Sequence, residues 1–186
     1  TSERPYREND RINPNNGYGK TKAEGEQNIL TSGCSYIIVR TSWLYSSYGN
    51  NFVKTMLRLG SEREFVNVVD DQNGNPTWAY DLANAIMLLI LRFENREVKE
   101  IFNYSNEGTI PWSNFAEAIL YIGNKNCEVR PISAEQLGTH CEPTIPTMPS
   151  KPINLDYLLA TGYPIIDDMG AEAQIYYQGD KQEGVN

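Results

Sequence analysis

One stretch constrains the fold more than any other: helix-forming residues 18–30 are followed closely by the apolar run Tyr36–Arg40. The second run is short, rich in β-branched residues and preceded by a turn, which is typical of a strand buried on both faces of a parallel sheet. The turn contains Gly33, which permits the left-handed backbone that ends many helices. A helix followed directly by a buried strand is half of a crossover unit, so the stretch predicts an α/β fold.

The predicted helix carries Tyr18 and Lys22, four residues apart. This spacing places both side chains on one face of the helix, one above the other. A phenol has an unperturbed pKa of about 10, and an ammonium beside it favours the phenolate form. The pair could therefore exchange a proton with a substrate oxygen. The spacing alone is weak evidence, because a Tyr and a Lys also fall four apart by chance on solvated helices.

Composition bounds the function classes that the chain can serve. Its 186 residues allow one ordinary domain or two small ones, and 40% apolar with 22% charged residues is typical of a soluble globular protein. The net charge is −8 with no basic run, which argues against nucleic-acid and membrane-surface partners. The longest apolar run, residues 85–91, is too short to span a bilayer, so we expect a cytoplasmic protein.

The cysteines and the histidine do not indicate a metal site. Cys34, Cys127 and Cys141 are far apart and form no Cys-x-x-Cys pair, so we expect reduced, structural thiols. His140 stands beside Cys141, and two adjacent residues do not make a zinc site. No metal is expected.

Further periodic segments complete the predicted secondary structure. Apolar residues at helical spacing predict helices over residues 81–93 and 112–122. A third helix is predicted from residue 52, capped by Asn50 or Asn51. Short apolar runs predict strands over residues 64–69, 100–104 and 127–132.

Several motifs occur together and in one order. They are Pro-Tyr-x-Glu-x-Asp at 5–10, Tyr-Gly-Lys-Thr-Lys at 18–22, Arg-Thr-Ser-Trp at 40–43, Gly-Asn-Asn-Phe at 49–52 and Asp-Gln-x-Gly-x-Pro-Thr at 71–77. This set resembles the extended short-chain dehydrogenases/reductases, and within them the dTDP-4-dehydrorhamnose reductase family. The resemblance covers roughly residues 3–165.

The resemblance implies a particular architecture. It implies part of a Rossmann-like, doubly wound parallel sheet in residues 1–64, which carry the catalytic helix. A small mixed α+β substrate-binding domain follows in residues 65–165, with some segments returning to the sheet, and residues 166–186 are expected to fray. The chain has no Gly-x-Gly-x-x-Gly or Gly-x-x-Gly-x-x-Gly after a strand, so it lacks the glycine-rich turn for a dinucleotide. It therefore matches the second half of a reductase, and we expect it to be inactive alone.

The resemblance also implies an activity, which is NADPH-dependent reduction of the 4-keto group of dTDP-4-dehydro-L-rhamnose to dTDP-L-rhamnose. NADH is the other candidate cofactor, the partner is a nucleotide-sugar, and the resemblance allows a homodimer. Two alternatives stay open: another nucleotide-sugar epimerase or dehydratase of the same superfamily, and a non-catalytic regulatory subunit of reductase-like fold.

Site residues follow from the matched motifs. The resemblance makes Tyr18 the proton donor and Lys22 its partner, with both residues also at the cofactor, and a third catalytic Ser or Thr would lie upstream of Thr1. It implies that Thr41 and Ser42 lie near the nicotinamide. Residues expected at the substrate are Trp43, Asn50, Asn51, Gln72, Thr77 and Lys151. From the residues alone, a core aromatic is the better interpretation of Trp43, and helix capping is enough to account for either asparagine.

Overall fold

A computed structural model of the chain describes residues 6–138, in which helices and strands alternate. The elements in chain order are α1 Gly17–Thr31, β1 Tyr36–Arg40, β2 Leu44–Tyr45, α2 Phe52–Glu62, β3 Phe65–Val69, β4 Asn73–Gly74, β5 Thr77–Trp78, α3 Ala79–Phe93, β6 Lys99–Asn103, β7 Ile110–Pro111, α4 Trp112–Ile122 and β8 Glu128–Ile132.

The first parallel pair joins β1 to β6, in a register from Tyr36 opposite Lys99 to Arg40 opposite Asn103. Each strand follows a helix, α1 before β1 and α3 before β6, as in a crossover architecture. The β1 residues are all half-buried in the described part of the chain. The parallel pairing confirms the predicted α/β class and the helix-to-strand unit on which it was based.

A second parallel pair joins β3 to β8, from Phe65 opposite Glu128 to Val69 opposite Ile132. Helix α4 packs against both strands, and α2 packs against α4. The α2–α4 contact is close at Gly60, where a Cβ would overlap the Leu120 side chain. The buried apolar side chains of this layer are Met56, Val66, Val68, Val69, Phe115, Ala116, Ile119 and Leu120.

Two short strand pairs connect the loops that lie between the β1–β6 pair and the β3–β8 pair. Strand β2 runs parallel to β5, and β4 runs antiparallel to β7. Each pair is only two residues long, so long-range contacts rather than local propensity determine where these strands form. They bring the segments after β1, after β3 and before α4 together.

Helix α3, predicted over residues 81–93, buries only part of its apolar surface. Leu82, Ala85 and Leu89 are buried as the apolar spacing predicts. Ile86 and Ile90, which belong to the same predicted apolar face, are exposed on the surface of the described residues. Across residues 6–138, no helix combines the length and the apolar character needed to cross a membrane.

The predicted division into domains stays a prediction. The pairing of β1 with β6 places residues 99–103 beside the strand that follows the Tyr18 helix. The predicted tail at 166–186 lies outside the described residues.

Candidate active site

Helix α1 begins at a side-chain cap. The Asn16 Oδ1 accepts a hydrogen bond from the backbone N–H of Gly19 at 2.7 Å, and the backbone N–H of Lys20 donates to the Asn16 carbonyl at 3.0 Å. The first bond satisfies an N–H that the first turn of a helix leaves free, and the second is the first backbone bond of the helix itself. The cap fixes where the helix starts, and thereby fixes the position of Tyr18 in its first turn.

Tyr18 and Lys22 lie together on α1, as their spacing predicts. The Lys22 Nζ is 5.5 Å from the centroid of the Tyr18 ring, and both side chains are exposed, with Tyr18 73% accessible. An ammonium at this distance from an aromatic ring is attracted to the ring and lies near the phenol. The pair therefore presents an acid and a cation on one open surface.

Helix α1 packs against β1, whose carboxyl end leads into Thr41 and Ser42. Thr41 is exposed. The Ser42 hydroxyl is half-buried and donates to the Asn75 carbonyl at 3.2 Å, so this side chain holds the following loop. Ligands of open α/β sheets bind beyond the carboxyl ends of the strands, which is where both residues lie.

Trp43 has an unusual backbone conformation. Its φ is +45°, in the left-handed region that non-glycine residues seldom adopt. Its carbonyl accepts from the backbone N–H of Thr77 at 3.1 Å, and its ring stacks on Trp112. A Cβ at Gly74 would overlap the Trp43 ring, so glycine leaves the space in which the indole lies.

Trp43 belongs to an aromatic cluster whose rings come from three parts of the chain. Phe52 of α2 lies 4.5 Å from the Trp112 ring, centroid to centroid, and Tyr45 lies 5.8 Å from Phe115. The aromatic cluster is Trp43, Tyr45, Phe52, Trp112 and Phe115. It is the arrangement expected of core aromatics, and the half-buried Trp43 keeps part of its surface accessible.

The two candidate asparagines differ in what they do. Asn51 caps α2: its Oδ1 accepts from the Lys54 backbone N–H at 3.1 Å, and its Nδ2 donates to the Ser46 carbonyl at 2.6 Å. Asn50 is exposed. The structure thus selects Asn51 from the two predicted caps, and substrate contact by either residue stays a prediction.

Gln72 and Thr77 are both buried, and they flank the loop that meets the aromatic cluster. The Gln72 carbonyl accepts from the backbone N–H of Trp112 at 3.3 Å. The Thr77 hydroxyl donates to the Asn75 carbonyl at 3.2 Å. These bonds give the loop its shape, while the predicted role of both residues at the substrate stays a prediction. Lys151 lies outside the described residues.

Sequence patterns do not reveal the stacking of Trp112 on Trp43 or the bond between Arg40 and Glu26. Trp112 was predicted only as the start of a helix, yet its ring covers Trp43. The Arg40 guanidinium pairs with the Glu26 carboxylate across 14 residues of sequence. No local spacing signals either contact, since both depend on how the elements pack.

Two half-buried polar side chains, Asp81 at the start of α3 and Asn106 after β6, are bonded to each other. The Asn106 Nδ2 donates to Asp81 Oδ2 at 2.5 Å. Burial raises the pKa of Asp81, and the bond from Asn106 opposes that rise. Burial, together with the negative charge of Asp81, raises the pKa of Tyr104 to about 12. Both groups are thus less readily charged than they are in water.

Candidate metal ligands are scattered in the part of the chain that the structure describes. Between residues 6 and 138, His, Cys, Asp and Glu side chains form no group of three able to hold a metal ion. Cys34 and Cys127 are free thiols there.

Two reductases of known name are similar to this chain in sequence. A dTDP-4-dehydrorhamnose reductase of Aggregatibacter actinomycetemcomitans is 44% identical over 116 residues, which are 61% of this chain and 40% of that protein. A dTDP-4-keto-6-deoxy-D-glucose reductase of Streptomyces niveus is 39% identical over 139 residues, which are 74% of this chain and 47% of the relative.

A solved structure of a related reductase has a similar fold. The crystal structure of dTDP-4-dehydrorhamnose reductase from Bacillus anthracis in complex with NADP superposes with a TM-score of 0.70 at 41% identity, covering 77% of this chain and 50% of that one. The chain therefore spans about half the length, or somewhat less, of these relatives. The family model described as the RmlD substrate binding domain matches residues 1–157, and the chain belongs to that family.

Proposed function

We propose that the chain is the catalytic-helix and substrate-binding part of an NADPH-dependent reductase that acts on the 4-keto group of a dTDP-linked 6-deoxy sugar. The observation that carries the proposal is the exposed Tyr18 and Lys22 pair on α1, in a member of this family. A protein that used this fold only to bind a partner would have no need to hold a phenol and an ammonium together.

In the proposed reaction a carbonyl becomes an alcohol. When bound, the nicotinamide supplies a hydride to the carbonyl carbon and leaves as its oxidised form. The C=O π bond breaks towards oxygen, and the Tyr18 hydroxyl donates its proton to that oxygen as negative charge develops. Charge on the oxygen is thereby neutralised as it forms, which lowers the barrier.

Lys22 has two tasks in this proposal. Its ammonium lies close enough to the Tyr18 ring to stabilise the phenolate that remains after proton transfer. Its three N–H donors also suit it to hold ribose hydroxyls of the cofactor. Thr41 and Ser42, at the end of β1, are the proposed neighbours of the nicotinamide.

The loops around the aromatic cluster are the proposed sugar site. Trp43 offers an aromatic face, and Asn50 an exposed amide, at loops that meet one another. Gln72, Asn51, Thr77 and Lys151 complete the proposed substrate residues. The amide and hydroxyl groups can pair with sugar hydroxyls without adding charge.

NADPH is the preferred cofactor in this proposal, supported by the Bacillus anthracis relative in complex with NADP. The proposed sugar is dTDP-4-dehydro-L-rhamnose, and the similarity to a dTDP-4-keto-6-deoxy-D-glucose reductase makes that substrate the second candidate. Cytoplasmic location and a homodimer stay predictions, the latter testable by the mass of the protein in solution.

The test supplies each keto sugar to the full-length protein that contains this chain, together with NADPH or NADH. We expect oxidation of NADPH and an equal amount of reduced nucleotide-sugar, whose C4 configuration NMR identifies. A folded protein that binds NADPH and reduces neither sugar would contradict the proposal.

A further inference from the structure

Arg40, the last residue of β1, joins several separate parts of the chain. Its Nε donates to the Glu26 Oε2 at 2.9 Å, and its Nη2 makes a second bond to Oε1 of the same carboxylate. Its Nη1 donates to the Glu8 carbonyl at 3.0 Å. Its own carbonyl accepts from the backbone N–H of Tyr104 at 2.8 Å. One residue thus bonds to α1, to the segment before α1 and to the end of β6.

The pair with Glu26 is shielded from solvent, with side chains 25% and 12% exposed for Arg40 and Glu26. The two parallel N–H donors of a guanidinium match the two oxygens of a carboxylate, and this fixes orientation as well as distance. A lysine keeps the charge but cannot form the paired bonds. The interaction is therefore a directional link between α1 and β1.

Glu26 is well placed to fix the catalytic helix. It follows Lys22 by four residues and Tyr18 by eight, so the three side chains lie along one side of α1. Within the described residues, α1 has no buried residue. The bond from Glu26 to Arg40 supplies a defined contact between α1 and β1.

The segment before α1 is held by the same network. The Glu8 side chain accepts from the Asn103 backbone N–H at 3.1 Å, and the Asn103 Nδ2 donates to the Tyr6 carbonyl at 3.3 Å. Asn103 is paired with Arg40 in the parallel sheet. The segment before α1 and α1 itself are thus both hydrogen-bonded to residues at the carboxyl ends of β1 and β6.

We propose that Arg40 is a positioning residue for the proposed reduction: through Glu26 it sets Tyr18 and Lys22 relative to the strand end that carries Thr41 and Ser42. This inference rests on the proposed function. A misplacement of about 1 Å in a catalytic group can cost about 100-fold in rate. The network would therefore matter to turnover even though Arg40 itself contacts no reacting atom.

The experiment compares Arg40→Lys, Arg40→Met and Glu26→Gln in the full-length protein. We expect kcat to fall about 10-fold in Arg40→Lys and about 100-fold in Arg40→Met, with the KM for the sugar changed less than about threefold. The isotope effect with deuterated NADPH should rise, because hydride transfer becomes slower. A merely structural residue would lower the folded fraction and leave the isotope effect unchanged.

A double variant and a matched control sharpen the result. Because Arg40 and Glu26 act as a unit, Arg40→Met with Glu26→Gln should be no slower than Arg40→Met alone. Arg58 forms an exposed pair with Glu62 on α2, with side chains 60% and 51% exposed. Arg58→Met should keep the wild-type kcat.

A second measurement of the link between Arg40 and α1 does not depend on catalytic turnover. Hydrogen–deuterium exchange of the cofactor-free protein should be faster in the peptide covering residues 17–31 of Arg40→Lys, and unchanged in the peptide covering α4. If the wild type reduces neither sugar, the proposed function fails, while exchange in α1 still tests the link. Wild-type kcat in Arg40→Lys, or unchanged exchange in α1, would overturn the inference.

Discussion

The indole rings of Trp43 and Trp112 lie face to face, with centroids 3.4 Å apart and planes 12° from parallel. Trp43 adopts a left-handed backbone that costs a residue with a Cβ roughly 1–2 kcal/mol. A stacked aromatic pair contributes about 0.5–1.5 kcal/mol beyond its buried area, so the stack offsets much of that cost. Strained residues are often found at functional sites, which is in keeping with the proposed place of Trp43 at the sugar.

Gly74 should be sensitive to the smallest substitution. A Cβ there would overlap the Trp43 ring, so Gly74→Ala should destabilise the protein by about 1–3 kcal/mol by forcing the stack apart. Chemical denaturation measures the change. Gly25→Ala is the matched control, because Gly25 lies within α1 with no atom near its added Cβ, and it should stabilise by up to about 1 kcal/mol. Equal stability of Gly74→Ala and the wild type would contradict the packing described.

Variants of Asn50 and Asn51 should distinguish a helix cap from a substrate ligand. Asn51→Ala removes the α2 cap and should cost about 1 kcal/mol of stability. Asn50→Ala should leave stability within about 0.5 kcal/mol, because the side chain is exposed. If Asn50 contacts the sugar, its variant raises the KM for the nucleotide-sugar. Wild-type KM in Asn50→Ala would remove this residue from the proposed substrate site.

Tyr104 should make stability depend on alkaline pH. Its pKa is raised to about 12 in the folded protein, against about 10 for a free tyrosine. As the pH rises, Tyr104 therefore stays protonated to a higher pH in the folded state than in the unfolded chain. The contribution is fully present below pH 10 and is lost as the pH rises towards 12.

Denaturation at a series of pH values checks this expectation. Between pH 10 and 12, the free energy of unfolding of the wild type should fall by about 2 kcal/mol more than that of Tyr104→Phe. Tyr121→Phe is the control, because Tyr121 is 87% exposed. Parallel pH profiles for wild type and Tyr104→Phe would contradict the assignment.

Local sequence signals predicted the main elements well. The helix predicted from residues 18–30 is found as α1 at Gly17–Thr31, and β1 coincides with the predicted strand. The end of α1 at Gly33, with a φ of +77°, follows the expected glycine signal. Periodicity and caps act within a few residues, so sequence reasoning finds them.

The segment after β8 carries a further local signal. Ser133 and Gln136 form a capping box, in which the Ser133 N–H donates to the Gln136 side chain at 2.8 Å and the Gln136 N–H donates to Ser133 Oγ at 3.1 Å. The Ser-x-x-Gln spacing predicts such a box from sequence alone.

The rest depends on long-range packing. The two-residue strands β2 and β5 exist because loops more than 30 residues apart meet, and Trp43 reaches Trp112 across an even longer separation. The motifs predict which residues belong near the proposed site. They could not indicate which of the two candidate asparagines caps α2, that Thr77 bonds within its own loop, or that Glu26 bonds α1 to Arg40.

The central claim is that Tyr18 is the proton donor in a nucleotide-sugar reduction, and the most direct test is NADPH oxidation by the full-length protein beside its Tyr18→Phe variant. Phenylalanine keeps the ring near Lys22 and removes only the hydroxyl, so folding should be preserved. We expect kcat to fall by about 100-fold or more in Tyr18→Phe, while Tyr121→Phe keeps the wild-type rate. Wild-type turnover in a folded Tyr18→Phe variant would contradict the account.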